Sequence, residues 1–201
     1  MRQDPLRTIP METNSMNEKT YEMFENLNDL RLYQFKNFAD NRGSFQETYN
    51  HSWFGWEKEF EVLQQNTSYN KKYVLRGLHY QLKNPQGKLV SVIQGSAVDF
   101  VIDLRKDSPT YLNTGIFELS TENLNYLYVP PGYAHGFLAL EDNTIFNYGV
   151  TKSLWQKDDE YCINFWSVDE FTSYLLPMRN QIIQADKDRT GIDVTQAVHY
   201  G

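Results

Sequence analysis

The amino-acid sequence predicts an all-β protein, an antiparallel sandwich or barrel with short flanking helices, and three observations carry that expectation. From about Leu32 onward, short apolar or alternating runs follow one another. Turn signals separate them: Asp40-Asn41-Arg42-Gly43, Asn84-Pro85-Gln86-Gly87, Gln94-Gly95-Ser96, Pro130-Pro131-Gly132 and Glu141-Asp142-Asn143. Many short strands at such spacing indicate a sandwich or barrel. Finally, 40% of the 201 residues are hydrophobic and 15% aromatic, enough for one domain with a substantial core and too much for a disordered chain.

Taken in order, residues 1 to about 18 are polar and include Pro5 and Pro10, as in a poorly ordered leader. Tyr21, Phe24, Leu27 and Leu30 then recur close to helical spacing, which predicts a short amphipathic helix. The division drawn from this is an N-terminal extension over 1–30 and one β domain over 31–201. From Lys88 the even positions read Lys88, Val90 and Val92, then Val98, Phe100, Ile102 and Leu104, while Ser91, Asp99 and Asp103 fall on the odd face. If the pairing has no slip, Lys88 shares the inward apolar face. A lysine there is costly unless the interior holds a polar cavity; the alternative is a strand-end lysine reaching water. Phe146, Tyr148 and Val150 share a face, as do His135, Phe137 and Ala139. Titratable side chains on inward phases of three strands predict a barrel with a working pocket. After about Asp169 the pattern admits short helices.

Composition excludes several classes. The lone Cys162 cannot form an intrachain disulfide or a zinc ribbon. A net charge of −7 argues against phosphate-driven nucleic-acid binding. No apolar run approaches the roughly 20 residues of a membrane helix, and the first residues lack the apolar stretch of a signal peptide. The expectation is a soluble, cytoplasmic protein with no nucleic-acid or membrane partner.

Two segments concentrate chemistry: Arg76-Gly77-Leu78-His79-Tyr80-Gln81 and Pro130-Pro131-Gly132-Tyr133-Ala134-His135-Gly136-Phe137. They resemble the first and second cupin motifs, whose histidines and glutamate bind a metal. Here Gln81 stands at the second histidine and Lys88 at the glutamate. A cation repels a divalent metal, and His79 and His135 alone fall short of the three or four donors such a site needs. No metal is expected. Strict alternation puts Arg76 and His79 on opposite faces, so a shared site requires a bulge, for which Gly77 is the candidate.

The strings FADNRGSFQETY, LQQNTSYNKKYVLRGLHYQ, QGKLVSVIQGSAVDFVIDLRKDSPTY and LSTENLNYLYVPPGYAHGFLAL, within a stretch from Phe38 to Asp188, resemble the dTDP-4-dehydrorhamnose 3,5-epimerase family. The resemblance implies a cupin-type jelly roll, a homodimer in which an N-terminal strand helps to close the partner's site, and an isomerase without cofactor. Its substrate would be a nucleotide-linked 4-keto-6-deoxyhexose, epimerised at C3 and/or C5 toward L-rhamnose-type sugars of surface polysaccharide. A ketone at C4 acidifies both carbons, so one enolate mechanism serves either. It needs a base, a charge facing the C4 oxygen and an acid on the opposite face.

By the same resemblance His79 is the base, Asp188 the carboxylate that orients it, Lys88 the enolate-stabilising cation and Tyr148 the acid. Arg42, Glu47, Gln65, Asn66 and Arg76 resemble the substrate-contacting set, Arg76 with a fork suited to a diphosphate. His135 resembles a pocket residue of unassigned role. The chain departs from the family where Ser153 and Leu154 replace an aromatic pair, and in a longer leading segment. Open alternatives are a C3-only or C5-only epimerase, a ketoisomerase on another nucleotide sugar, a non-catalytic sugar-nucleotide-binding cupin, and a metal-dependent oxygenase.

Overall fold

Each of the five turn signals falls between two strands. The computed structural model describes residues 8–9, 19–51 and 60–200. Its strands are β1 (Thr8–Ile9), β2 (Lys19–Phe24), β3 (Leu27–Phe35), β4 (Asn37–Asp40), β5 (Gly43–Gln46), β6 (Val62–Asn70) and β7 (Leu75–Gln81). They continue with β8 (Gly87–Gln94), β9 (Ser96–Asp103), β10 (Thr114–Ser120), β11 (Asn125–Val129), β12 (Tyr133–Ala139), β13 (Thr144–Thr151) and β14 (Glu160–Cys162). Helices α1 (Asp169–Leu175) and α2 (Asp186–Arg189) follow. A seven-stranded sheet in the order β1-β2-β3-β11-β8-β13-β6 faces a five-stranded sheet in the order β10-β9-β12-β7-β14, and among the described residues β4 pairs with β5 alone. Two packed antiparallel sheets of this kind form a jelly roll. No helix among the described residues is long and apolar enough to cross a membrane.

Three apolar clusters divide the core. Val90, Val92, Val101, Leu127, Phe137 and Phe146 fill the space between the sheets. Tyr33, Phe35, Phe60, Leu89, Tyr126 and Tyr128 form a second cluster, drawn from the other face of the large sheet. On the outside of the small sheet, Val98, Phe100 and Ile102 meet Phe165, Phe171 and Leu175 of the C-terminal segment.

That third cluster corrects the phase expected for β9. Lys88, Val90 and Val92 do face inward, but along β9 the even residues pack outward against the C-terminal layer. The odd residues Ala97, Asp99 and Val101 face the interior, because a strand covered on both sides is apolar on both. The polar residue therefore marks the barrel side, and Asp99 is a fully buried interior carboxylate.

The short helix expected over Tyr21–Leu30 is also corrected. β2 and β3 form a hairpin there, and β3 pairs with β11. Leu27 and Leu30 are both buried because the pairing slips between Met23 and Phe24 and Asp29 takes φ 65°. This irregularity shifts the strand's phase and imitates a helical i, i+3 spacing. Apart from Thr8 and Ile9, the expected leader lies outside the described residues.

Candidate active site

Between the two sheets lies a cavity of about 420 Å³. The small sheet contributes Arg76 and His79 from β7, His135 from β12 and Glu160 from β14. The large sheet contributes Gln64 and Asn66 from β6, Lys88 from β8 and Tyr148 from β13, and α2 adds Lys187 and Asp188. All four residues expected to carry catalysis, His79, Lys88, Tyr148 and Asp188, thus line one cavity.

His79 and Asp188 form a dyad, with Nε2 donating to Oδ1 at 2.7 Å. The other carboxylate oxygen accepts from the Gly77 backbone N–H at 3.3 Å. Burial pushes the Asp188 carboxyl up, but the hydrogen bond and charge of His79 and the Gly77 N–H hold it below the ordinary range. An ionised Asp188 fixes the ring and leaves Nδ1 with the lone pair.

Gly77 makes this geometry possible. Its φ is +104°, and a Cβ there would lie 2.7 Å from both the Gly136 Cα and the His135 carbonyl oxygen. Opposite it the β7–β12 register slips, pairing His135 with His79 but Phe137 with Arg76. The bulge expected at Gly77 is present, and it turns Arg76 and His79 into the same cavity.

Lys88 enters from the facing sheet. Burial pushes its ammonium down to about 8, partly offset by the negative charges of Glu160 and Asp99. Its turn is rigid: Asp159 accepts from the backbone N–H groups of Leu82, Lys83 and Asn84 at 3.2, 2.9 and 2.7 Å. Burial raises the Tyr148 phenol, as does Glu160, against the opposing charges of Arg76 and Lys187. Tyr148 therefore keeps its proton at neutral pH. His79 and Tyr148 come from opposite sheets.

The family profile of dTDP-4-dehydrorhamnose 3,5-epimerase matches residues 25–196. The chain belongs to the dTDP-4-dehydrorhamnose 3,5-epimerase family. The epimerase of Methanothermobacter thermautotrophicus is 42% identical over 76% of this chain and 82% of its own. A crystal structure of the Sulfolobus tokodaii epimerase superposes with TM-score 0.78 at 32% identity, covering 96% of this chain and 100% of that one. The Legionella pneumophila dTDP-6-deoxy-D-glucose-3,5-epimerase, solved with dTDP-4-keto-L-rhamnose, superposes with TM-score 0.78 at 30% identity over 86% of this chain and 91% of its own.

The substrate-contacting set carried over from this epimerase family is only partly assembled within one chain. Asn66, Arg76 and His135 line the cavity. Gln65 does not: it is exposed on the other face of β6, where its side-chain amide donates to Asn147 at 3.0 Å. Gln64 lines the cavity instead, as strand alternation from Asn66 requires. Arg42 lies in the β4–β5 turn, 85% exposed and ion-paired to Asp40 at 2.6 Å, and Glu47 is exposed and accepts from Asn50. Neither lines the cavity of its own chain.

Sequence reasoning also passed over Glu160, Lys187 and Trp155. Glu160 accepts from Lys187 Nζ at 2.7 Å and from Trp155 Nε1 at 2.9 Å. Burial raises its pKa, but Lys187, His79 and Trp155 hold it below the usual range, so it adds an anion beside the dyad. Trp155 lines the cavity directly after Ser153 and Leu154, where the epimerase family has its aromatic pair. No periodicity marks these residues: Glu160 lies in the three-residue β14, Lys187 in the four-residue α2, and Trp155 in neither strand nor helix.

Metal-ligand chemistry fits the dyad poorly. His79, Cys162 and Asp188 bring donor atoms within 4.8 Å of one another. Yet His79 Nε2 and Asp188 Oδ1 are already bonded to each other, which leaves few donors of the cluster free for a metal.

Proposed function

We propose that this protein epimerises C3 and C5 of a dTDP-linked 4-keto-6-deoxyhexose through an enolate, in the biosynthesis of L-rhamnose-type deoxysugars. The observation that carries the reading is the placement of His79, bonded to Asp188, and of Tyr148 on facing sheets, with Lys88 lining the same cavity. A flat enolate held there has a base on one side and an acid on the other, which is what inversion requires.

In this mechanism neutral His79 takes the C5 proton, and the electron pair left behind delocalises onto the C4 oxygen. Asp188 stabilises the imidazolium, and the Lys88 ammonium faces the oxyanion. Tyr148 then donates its phenolic proton to the opposite face, and the C4 carbonyl reforms. Proton exchange with solvent resets both residues, and the cycle repeats at C3. Arg76, on the cavity rim and hydrogen-bonded through Nε to Asn70 at 2.9 Å, is placed to grip the diphosphate with its remaining donors. A nucleotide-sugar substrate places the work in the cytoplasm. Incubation with dTDP-4-keto-6-deoxyglucose and a strong chelator, read by NMR, tests this: inversion at both centres is expected. Loss of turnover with the chelator, or inversion at one centre only, would overturn the corresponding part.

The working unit in this proposal is a homodimer. Among the described residues the β4–β5 hairpin pairs with no other strand; it carries Phe38 and Phe45 at 45% and 69% exposure, and neither Arg42 in its turn nor Glu47 just after it lines the cavity of its own chain. Docked on a second copy, it would deliver both side chains to the partner's site. Light scattering at micromolar concentration is expected to give the dimer mass; a fully active monomer would contradict it.

A further inference from the structure

One polar residue of the first motif has no part in the mechanism. Gln81 stands where metal-binding cupins have their second histidine, and here it ends β7, 2% exposed, on the wall of the cavity. A buried side-chain amide has two N–H donors and a carbonyl acceptor to satisfy. Gln81 Nε2 donates to the backbone carbonyls of Asn84 at 2.8 Å and Leu154 at 3.3 Å, and Oε1 accepts from the Gln156 N–H at 2.6 Å. Two carbonyls on one side and an N–H on the other fix which end of the amide is which. The partners on Leu154 and Gln156 flank Trp155.

Residues 154–156 belong to no strand or helix, so no backbone ladder holds them. Gln86 adds a hydrogen bond from Nε2 to the Ser153 carbonyl at 3.1 Å. The Trp155 indole is 49% exposed and lines the cavity, with Nε1 donating to Glu160 Oε1 at 2.9 Å. Glu160 is the register partner of Gln81 in the β7–β14 pairing. Gln81 through the main chain and Glu160 through the indole therefore tie Trp155 to one point of the small sheet.

An indole has one donor and no acceptor, and Glu160 takes that donor. What Trp155 still offers the cavity is apolar ring surface. Such a surface suits the C–H and methyl groups of an uncharged deoxyhexose; a diphosphate needs donors such as those of Arg76.

We propose that Trp155 is a specificity-determining residue that packs against the hexose of the substrate, and that Gln81 is the positioning residue that holds it there. The proposal rests on the reading of this cavity as the site of a dTDP-linked deoxyhexose. It explains why a buried glutamine commits two of its three hydrogen bonds to the peptide groups beside one tryptophan.

Titration calorimetry with dTDP and with dTDP-6-deoxyglucose, which lacks the C4 ketone and does not enolise, separates sugar contacts from nucleotide contacts. Trp155→Ala should weaken dTDP-6-deoxyglucose by about tenfold, the loss of one aromatic face, and leave dTDP within about twofold. Gln81→Met keeps the length of the side chain and removes its hydrogen bonds. It should weaken the same ligand by about three- to fivefold and again spare dTDP. In the double variant the loss should be no greater than in Trp155→Ala alone, because the clamp then has no indole to place; a merely structural glutamine would add its own cost. If Gln81→Met does not fold, Gln81→Asn, with its amide one methylene short of both partners, carries the same expectation. Equal weakening of both ligands in Trp155→Ala, unchanged binding of dTDP-6-deoxyglucose, or additive losses in the double variant would overturn the proposal. Failure of the underlying reading would show separately, as a wild type that neither binds dTDP-6-deoxyglucose nor turns over the 4-keto sugar.

Discussion

Replacing His79 with Asn is expected to lower kcat by roughly 10²–10⁴-fold or more, with proton exchange at C3 and C5 lost together. Asn fills similar space and still offers a side-chain amide toward Asp188, so the cavity should keep its shape. What disappears is the only group in the dyad able to accept a carbon-bound proton, because Asp188 is held ionised by its own hydrogen bonds and is a weak base. Both carbons should suffer equally, since one base serves one enolate mechanism. Exchange at C5 persisting at the wild-type rate would identify another residue as the base.

Lys88→Met should be nearly as damaging, by about 10²–10³-fold in kcat, the typical cost of removing one oxyanion-stabilising donor. The ammonium must be charged to face the enolate oxygen, and burial holds it at about 8. Activity should therefore fall as pH rises through about 8, and Lys88→Met should remove that alkaline limb along with most of the rate. Stability moves the other way. The folded state holds this proton less tightly than the unfolded chain, so the penalty is full below about 8 and fades as pH rises toward the ordinary lysine value. At neutral pH the methionine variant should unfold at a higher temperature than the wild type. A stability cost carried for function is expected at such a site.

Strand phase made much of this site legible. The alternation through Lys88, Val90 and Val92 announced a lysine inside the barrel, and the structure has it there. Gly77 was readable as a bulge because Arg76 and His79 could not otherwise share a face. Asp99 was misread for a physical reason: β9 is apolar on both faces, and only the C-terminal layer, far along the chain, decides which face is the interior. Leu27 and Leu30 misled in the opposite sense, since an irregular hairpin at Asp29 produces a helix-like spacing without a helix. Glu160 and Lys187 sit on a three-residue strand and a four-residue helix, too short to show any period. Gln64 was within reach, because alternation from Asn66 selects it over Gln65.

The claim that matters most is that base and acid work from opposite sheets on a common enolate. Turnover of Tyr148→Phe in D₂O tests it most directly, with deuterium at C3 and C5 and configuration followed together by NMR. The variant keeps the ring and its packing but has no phenolic proton to give. The account predicts that deuterium still enters with retention of configuration, returned by His79 to the face it came from, while inversion slows far more. Exchange and inversion falling in step, or inversion continuing at the wild-type rate, would contradict it.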